Sequence, residues 1–236
     1  MNDLYLIPNS TVLKNLLGIT NEKELDLAEA ELSRANMMLL YENGFSDFSS
    51  GGFCFIHKFL FDDVYEWAGQ YRKINIQKRE ELLAGQSVWY SNVTEIGADL
   101  DKVFAEIKKI DWASLTREDF AKQIAKLFPK LWQVHPFREG NTRTTVMMMT
   151  FFVERYGYYF DQNLIAESAG YVRDSFVLAS LGEHSEYEHL EKILLDAICI
   201  EPIEYTNGDI VSKNKTEKYE KYRSKNYTPT KHEYME

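Results

Sequence analysis

Residues 135–143 read HPFREGNTR and run directly into TTVMMMTFFVERYGYY (144–159). The first segment gathers an imidazole, a carboxylate, an amide and a guanidinium around one glycine. The second has the apolar content and length of a buried helix. The opening turn of a helix carries backbone N–H groups with no intrahelical partner and a partial positive charge, so an anion placed there is bound by geometry the backbone already has. Gly140 removes Cβ from the approach. Arg143 offers a planar fork to two phosphate oxygens and Asn141 an amide donor to a third. Glu139 would repel an anion unless a hard cation lies between them, and Mg2+, which takes one or two carboxylates together with substrate phosphates, is the usual bridge. His135, with an unperturbed pKa near ~6.5, is free at neutral pH to accept a proton from an incoming hydroxyl. Together these groups predict transfer of a phosphorus group from a nucleotide to an alcohol.

HPFREGNTR resembles the motif HPFx(D/E)GN(G/K)R of the Fic/Doc family, whose typical members transfer AMP from ATP to a Ser, Thr or Tyr hydroxyl of a target protein. The resemblance implies a protein adenylyltransferase that also modifies itself, with ATP as substrate and Mg2+ as cofactor. Roles follow residue by residue. His135 is the general base, Phe137 a buried anchor within the nucleotide-binding loop, Glu139 the Mg2+ ligand, and Asn141 and Arg143 the phosphate binders. The backbone N–H groups of Gly140, Asn141, Thr142 and Arg143 form the anion hole. Residues Leu60–Lys78, LFDDVYEWAGQYRKINIQK, resemble the segment that this family places ahead of its flap, a short hairpin that holds a target segment by strand addition. The flap is expected at about 71–90, with Ile74, Asn75, Ile76, Gln77 and Lys78 against the target, and Tyr71–Ile76 as its best strand. Leu13–Glu31 resembles the N-terminal helix of many relatives. The implied fold is mainly α, a Fic-like helical bundle with a short β-hairpin flap over the active site. It forms a single catalytic domain over 1–210, with its core at about 13–200.

The chain departs from the family pattern at two positions. Thr142 stands where relatives carry Gly or Lys, and Val146 where self-regulated relatives carry a second Arg. Those relatives also have an inhibitory helix with the pattern (S/T)xxxE(G/N). Here the loose form (S/T)xxxE ends at Glu24, Glu95, Glu118, Glu154 and Glu220, and the next residue is never Gly or Asn. The expectation is a chain without its own switch, constitutively active or held by a small inhibitory protein in trans, although Glu24 could still approach the site. Two further readings stay open. One is transfer of UMP, phosphocholine or phosphate in place of AMP; the other is a non-catalytic scaffold that grips a partner with its flap.

Composition narrows the field. With 236 residues, 44% of them hydrophobic, the chain is large enough for one sizeable core. A net charge of −10 argues against nucleic acid as partner, since such binders show a basic patch or stripe. Cys54 and Cys199 lie far apart in no Cys/His cluster, so neither a disulfide framework nor a zinc site is expected. MNDLYLIPNS has no basic start followed by an apolar run, and no stretch approaches ~18 apolar residues. No membrane segment is expected, and the chain is read as cytoplasmic at synthesis, with delivery into another cell left open.

Asn21 with Glu24 has the form of a capping box, followed by Leu25, Ala28, Leu32, Ala35 and Leu39 at helical spacing. Val93, Ile96, Leu100, Val103, Phe104 and Ile107 predict a second amphipathic helix. Thr116 with Asp119 opens a third, carried by Phe120, Ile124, Leu127 and Leu131, with a kink or early break expected at Pro129. Further helices are predicted at Gln162–Ser180 and Ser185–Ile198, and Gly157 is expected to end the helix after the motif. The run Met147–Met149 is assigned to core filling. From Val211 to Glu236 there are seven Lys or Arg, four Asp or Glu and no Leu, Ile, Phe or Trp, which predicts a flexible charged tail.

Overall fold

The computed structural model of the chain describes residues 3–202 and 221–222. Among these residues it is mainly helical: α1 (Glu22–Asn43), α2 (Ser50–Phe61), α3 (Ile96–Lys108), α4 (Arg117–Val134), α5 (Asn141–Arg155), α6 (Gln162–Glu167), α7 (Ala169–Leu178) and α8 (Glu188–Ala197). An antiparallel pair, β1 (Tyr159–Phe160) and β2 (Ile198–Cys199), joins the end of α5 to the end of α8, with Tyr159 opposite Cys199. No helix of the described residues is long and apolar enough to cross a membrane.

α4 is the central element and packs against α3, α5, α7 and α8. It starts where Thr116 Oγ1 accepts from Asp119 N at 3.1 Å. It then buries the predicted Phe120, Ile124, Leu127 and Leu131, together with Phe128 and Trp132. The break expected at Pro129 does not occur, and the helix continues to Val134. Proline in a helix interior costs about 3 kcal/mol, whereas each large apolar side chain buried beyond it returns about 1.5–3 kcal/mol. Leu131 and Trp132 are enough to carry the helix past the missing donor. α5 buries Met147, Met148 and Met149 in the core, as assigned.

Three elements differ from the sequence expectation. The stretch predicted as one helix over 162–180 is divided at Ser168 into α6 and α7. α3 begins at Ile96; Val93 stays outside it, its N–H bound to Asn75 Oδ1 at 2.9 Å. In α1 the capping bond from Glu24 N to Asn21 Oδ1 forms at 3.1 Å, but the buried positions are Leu25, Glu29, Ser33 and Leu40. Leu39 of the predicted stripe is half exposed. A polar stripe faces inward because α1 roofs a cavity as well as packing on α2.

Most of the expected tail lies outside the described residues. Its Lys221 and Tyr222 are described: Tyr222 is buried, and its hydroxyl lies within hydrogen-bond reach of Lys192 O at 2.9 Å and Asp196 Oδ2 at 2.7 Å. Tyrosine supplies the apolar surface that the absence of Leu, Ile, Phe and Trp seemed to deny.

Candidate active site

The polypeptide leaves α4 through His135, whose left-handed conformation (φ 49°, ψ 56°) turns the chain away from the helix axis. The loop that follows is braced from within. Asn141 Oδ1 accepts from Phe137 N at 3.0 Å, and Asn141 Nδ2 donates to Phe137 O at 2.9 Å. Phe137 is wholly buried, with its ring 3.7 Å from that of His57. His57 in turn donates from Nε2 to Glu139 O at 3.0 Å and accepts at Nδ1 from Gly69 N at 2.8 Å. Burial holds its pKa down at about 3, so it is a neutral strut. Gly140 caps α5 with φ 81°, and a Cβ there would lie 2.4 Å from the Phe61 ring. Glycine is therefore demanded by Phe61 beneath the loop as well as by its φ.

α5 starts at Asn141 with no side-chain cap, and its first turn borders a cavity of about 190 Å3 that is also lined by His135 and Glu139. The structure thus brings together every polar side chain singled out in 135–143. His135 Nδ1 lies 3.2 Å from Trp132 O, an acceptor, so Nδ1 carries the hydrogen and Nε2 presents a lone pair. That Nε2 is buried and has no partner. Burial, and then the charge of Lys78, push the His135 pKa well below the usual histidine value. Tyr90 stacks on the imidazole at 4.0 Å.

Burial pushes the Glu139 pKa up, but the charge and hydrogen bond of Lys78, with a further bond from Gly140 N, outweigh it and hold the carboxyl at about 2. Lys78 Nζ lies 3.0 Å from Glu139 Oε2, and Gly140 N donates to Oε1 at 3.1 Å. Glu139 is thus an ionised carboxylate at the edge of an anion site. Among the described residues no group of three or more His, Cys, Asp or Glu gathers, so a cation here would rely on one protein carboxylate, phosphate oxygens and water. Mg2+ accepts such a set.

Several placements depart from the sequence reading. Asn141 has both polar atoms turned onto the Phe137 peptide and acts as a brace of the loop. Phe137 is buried as the anchor of the loop, as expected, and does not line the cavity at the motif. Thr142 Oγ1 accepts from Trp132 Nε1 at 2.9 Å, which ties the extra side chain back to α4. Arg143 donates from Nη1 to Ser33 Oγ at 2.7 Å and pairs through Nη2 with Glu29 of α1, while its guanidinium lies 4.8 Å above the Phe61 ring. Glu29 also accepts from the Tyr65 hydroxyl. Glu24, the one acid left open as able to approach, is exposed, and it is Glu29 that pairs with Arg143. Its sequence signal was a carboxylate four residues after Leu25 on an inward stripe.

Residues 71–90, where the flap was expected, contain no strand ladder, and the predicted strand Tyr71–Ile76 does not form. The arms of the segment are joined by Glu80 N to Gln86 O at 2.9 Å and Lys78 N to Ser87 Oγ at 3.1 Å. Arg72, missed in the sequence, holds its base. The guanidinium donates to His135 O at 2.9 Å, to Ile74 O at 2.8 Å and to Ser91 O, so one buried cation takes carbonyls that a hairpin would pair. Ile74, Asn75, Ile76 and Gln77 lie along one arm, beside a cavity of about 210 Å3 that Lys78 also lines. Lys78 itself turns inward to Glu139.

The structure is a helical bundle in which one helix opens without a side-chain cap beside a buried, neutral histidine. The chain belongs to the Fic/DOC family, whose profile matches residues 47–153. It is 31% identical over 165 residues to a probable protein adenylyltransferase of Sinorhizobium fredii, covering 69% of this chain and 81% of that one. It is also 31% identical over 198 residues to a protein adenylyltransferase of Bartonella henselae, covering 79% of this chain and 36% of that longer protein. The chain thus spans about a third of the Bartonella relative. Among solved structures, the N-terminal Fic domain of a VirB-translocated Bep effector protein from Bartonella quintana, with ADP bound, has a TM-score of 0.69 at 26% identity, covering 82% of this chain and 94% of that one.

Proposed function

We propose that this chain transfers AMP from ATP to a hydroxyl of a target protein, and to itself. The observation that carries the reading is the unpartnered Nε2 of a buried, neutral His135 beside the uncapped opening of α5. In this scheme Nε2 takes the proton of the target hydroxyl, and the oxygen attacks the α-phosphorus. The bond from that phosphorus to its bridging oxygen breaks and pyrophosphate departs. The N–H groups of α5 stabilise the negative charge on the transferring group. Glu139 would hold Mg2+, which neutralises phosphate charge when bound. The roles of Glu139, Asn141, Thr142 and Arg143 in binding rest on the cavity they share. The backbone of residues 75–77 has no partner on the opposite arm of the flap, which supports strand addition by an extended target segment at Ile74–Gln77. ATP supply places the reaction in a cytoplasm, that of the producing cell or of a recipient.

The test is incubation of the full chain and candidate targets with Mg2+ and α-labelled ATP, beside UTP and CDP-choline, followed by mass spectrometry. AMP on a hydroxyl side chain, abolished in His135→Ala, is expected. Label from UTP or CDP-choline alone, or from the γ-position of ATP, overturns the reading.

A further inference from the structure

Three cations face the motif cavity, and each is held by an acid from a different element. Lys78 pairs with Glu139, Arg143 with Glu29 of α1, and Arg173 of α7 with Glu80 of the flap. The first two belong to segments that the sequence singled out; Arg173 does not. It lines the 190 Å3 cavity with His135 and the opening of α5. It also lines the adjoining cavity of about 860 Å3, the wider and largely apolar space beneath α1. Arg173 therefore stands where the two spaces meet.

The way it is held matters. Glu80 is almost wholly buried, and both its oxygens lie on one nitrogen of the guanidinium, Nη2, at 2.8 and 2.7 Å. The rest of the fork is less committed: the nearest acid to Nη1 is Asp174 Oδ1 at 3.7 Å. Arg143, by contrast, has both terminal nitrogens engaged by α1. The first two turns of α5 offer no guanidinium besides Arg143, since position 146 is valine. A buried carboxylate thus fixes Arg173 in orientation while leaving Nε and Nη1 available, the arrangement that suits an arginine for phosphate oxygens at low entropic cost.

Building on the transfer reading above, we infer that Arg173 is a nucleotide-binding residue that holds the polyphosphate of the substrate. Glu80 positions it, so the tip of the flap and the phosphate site share one ion pair. A plain surface ion pair would anchor the flap tip and leave phosphate binding untouched.

Calorimetric titration of the full chain with ATP and with inorganic tripolyphosphate, both with Mg2+, separates the two. Arg173→Gln should weaken both ligands by a similar factor of at least about tenfold, the loss expected for a charged hydrogen bond. Arg173→Lys should recover part of it. Because Arg173→Gln leaves Glu80 buried without its partner, the double variant Arg173→Gln/Glu80→Gln is measured alongside, with thermal unfolding as the check on folding. Unchanged tripolyphosphate affinity in the folded double variant overturns the assignment, whether or not ATP affinity falls. Failure of the wild type to bind ATP overturns the transfer reading itself, whereas a wild type that binds ATP beside folded variants that bind it equally well strikes only the role of Arg173.

Discussion

The motif loop and the 71–90 segment meet at His135 and are built on opposite plans. The loop 135–141 is fixed by bonds between near neighbours: Asn141 to the Phe137 peptide, Gly140 N to Glu139, and His135 N to Trp132 O at 3.0 Å. The flap lacks a strand ladder and hangs on side chains that reach far along the sequence: Arg72 to His135 O, Lys78 to Glu139 and Glu80 to Arg173. Bonds between near neighbours form with the local turn itself. Long-range polar tethers hold a shape only while their partners are present, and under the proposed scheme a nucleotide competes for two of the three. His135 is thus set rigidly, while in the proposed scheme the 71–90 segment answers to what occupies the cavity.

The largest expected effect falls on the rigid side. His135→Ala should lower transfer by about 10²–10⁴-fold with ATP affinity unchanged, because the imidazole is needed for the proton and not for the phosphates. Loss of ATP binding in a folded variant, measured by calorimetry, would show that the two roles are not separable. Gly140→Ala tests the loop itself. The new Cβ meets Phe61 at 2.4 Å with φ at 81°, so destabilisation of roughly 2–4 kcal/mol is expected in denaturant unfolding.

The flap should answer differently. Arg72→Lys keeps the charge but reaches fewer carbonyls, so kcat/KM for a protein target should fall roughly tenfold, about 1.4 kcal/mol, while ATP affinity and stability move less. Equal loss of ATP affinity and target turnover would make the flap as rigid a part of the site as the loop. The smallest effect concerns pH. With its pKa lowered by burial, His135 stays neutral as pH falls through ~6.5, the value in the unfolded chain. Transfer should therefore show no acid limb near that value between pH 8 and 6. His57, lowered to about 3, adds a stability signature of the same origin. Below ~6.5 the unfolded chain takes up a proton that the folded one refuses, so stability should fall by up to ~1.4 kcal/mol per pH unit toward pH 3. An acid limb at ~6.5 in the rate would mean that His135 is solvated during turnover.

Much of this was legible in the sequence where periodicity or motif spacing carried it. The stripe Phe120, Ile124, Leu127, Leu131 gave α4, and HPFREGNTR gave the loop and the opening of α5. The flap was legible as a segment but not as a structure, because Arg72 replaces ladder bonds with side-chain bonds that no alternation pattern records. Glu29 hid within α1, where a carboxylate on an inward stripe looks like one more acid on a charged helix.

The sequence by itself determined the chemistry of 135–143, the uncapped opening of α5 and the helical character of the chain, all of which depend on residues within one or two turns of each other. Only the tertiary structure decided which cation meets which acid. Arg143 with Glu29, Lys78 with Glu139 and Arg173 with Glu80 are separated by 114, 61 and 93 positions. The packing of α1, α7 and the flap around one cavity chose among the many acids of a chain with 37 Asp and Glu. The coupling between charges a few ångströms apart falls off with distance in space, and distance along the chain does not predict it.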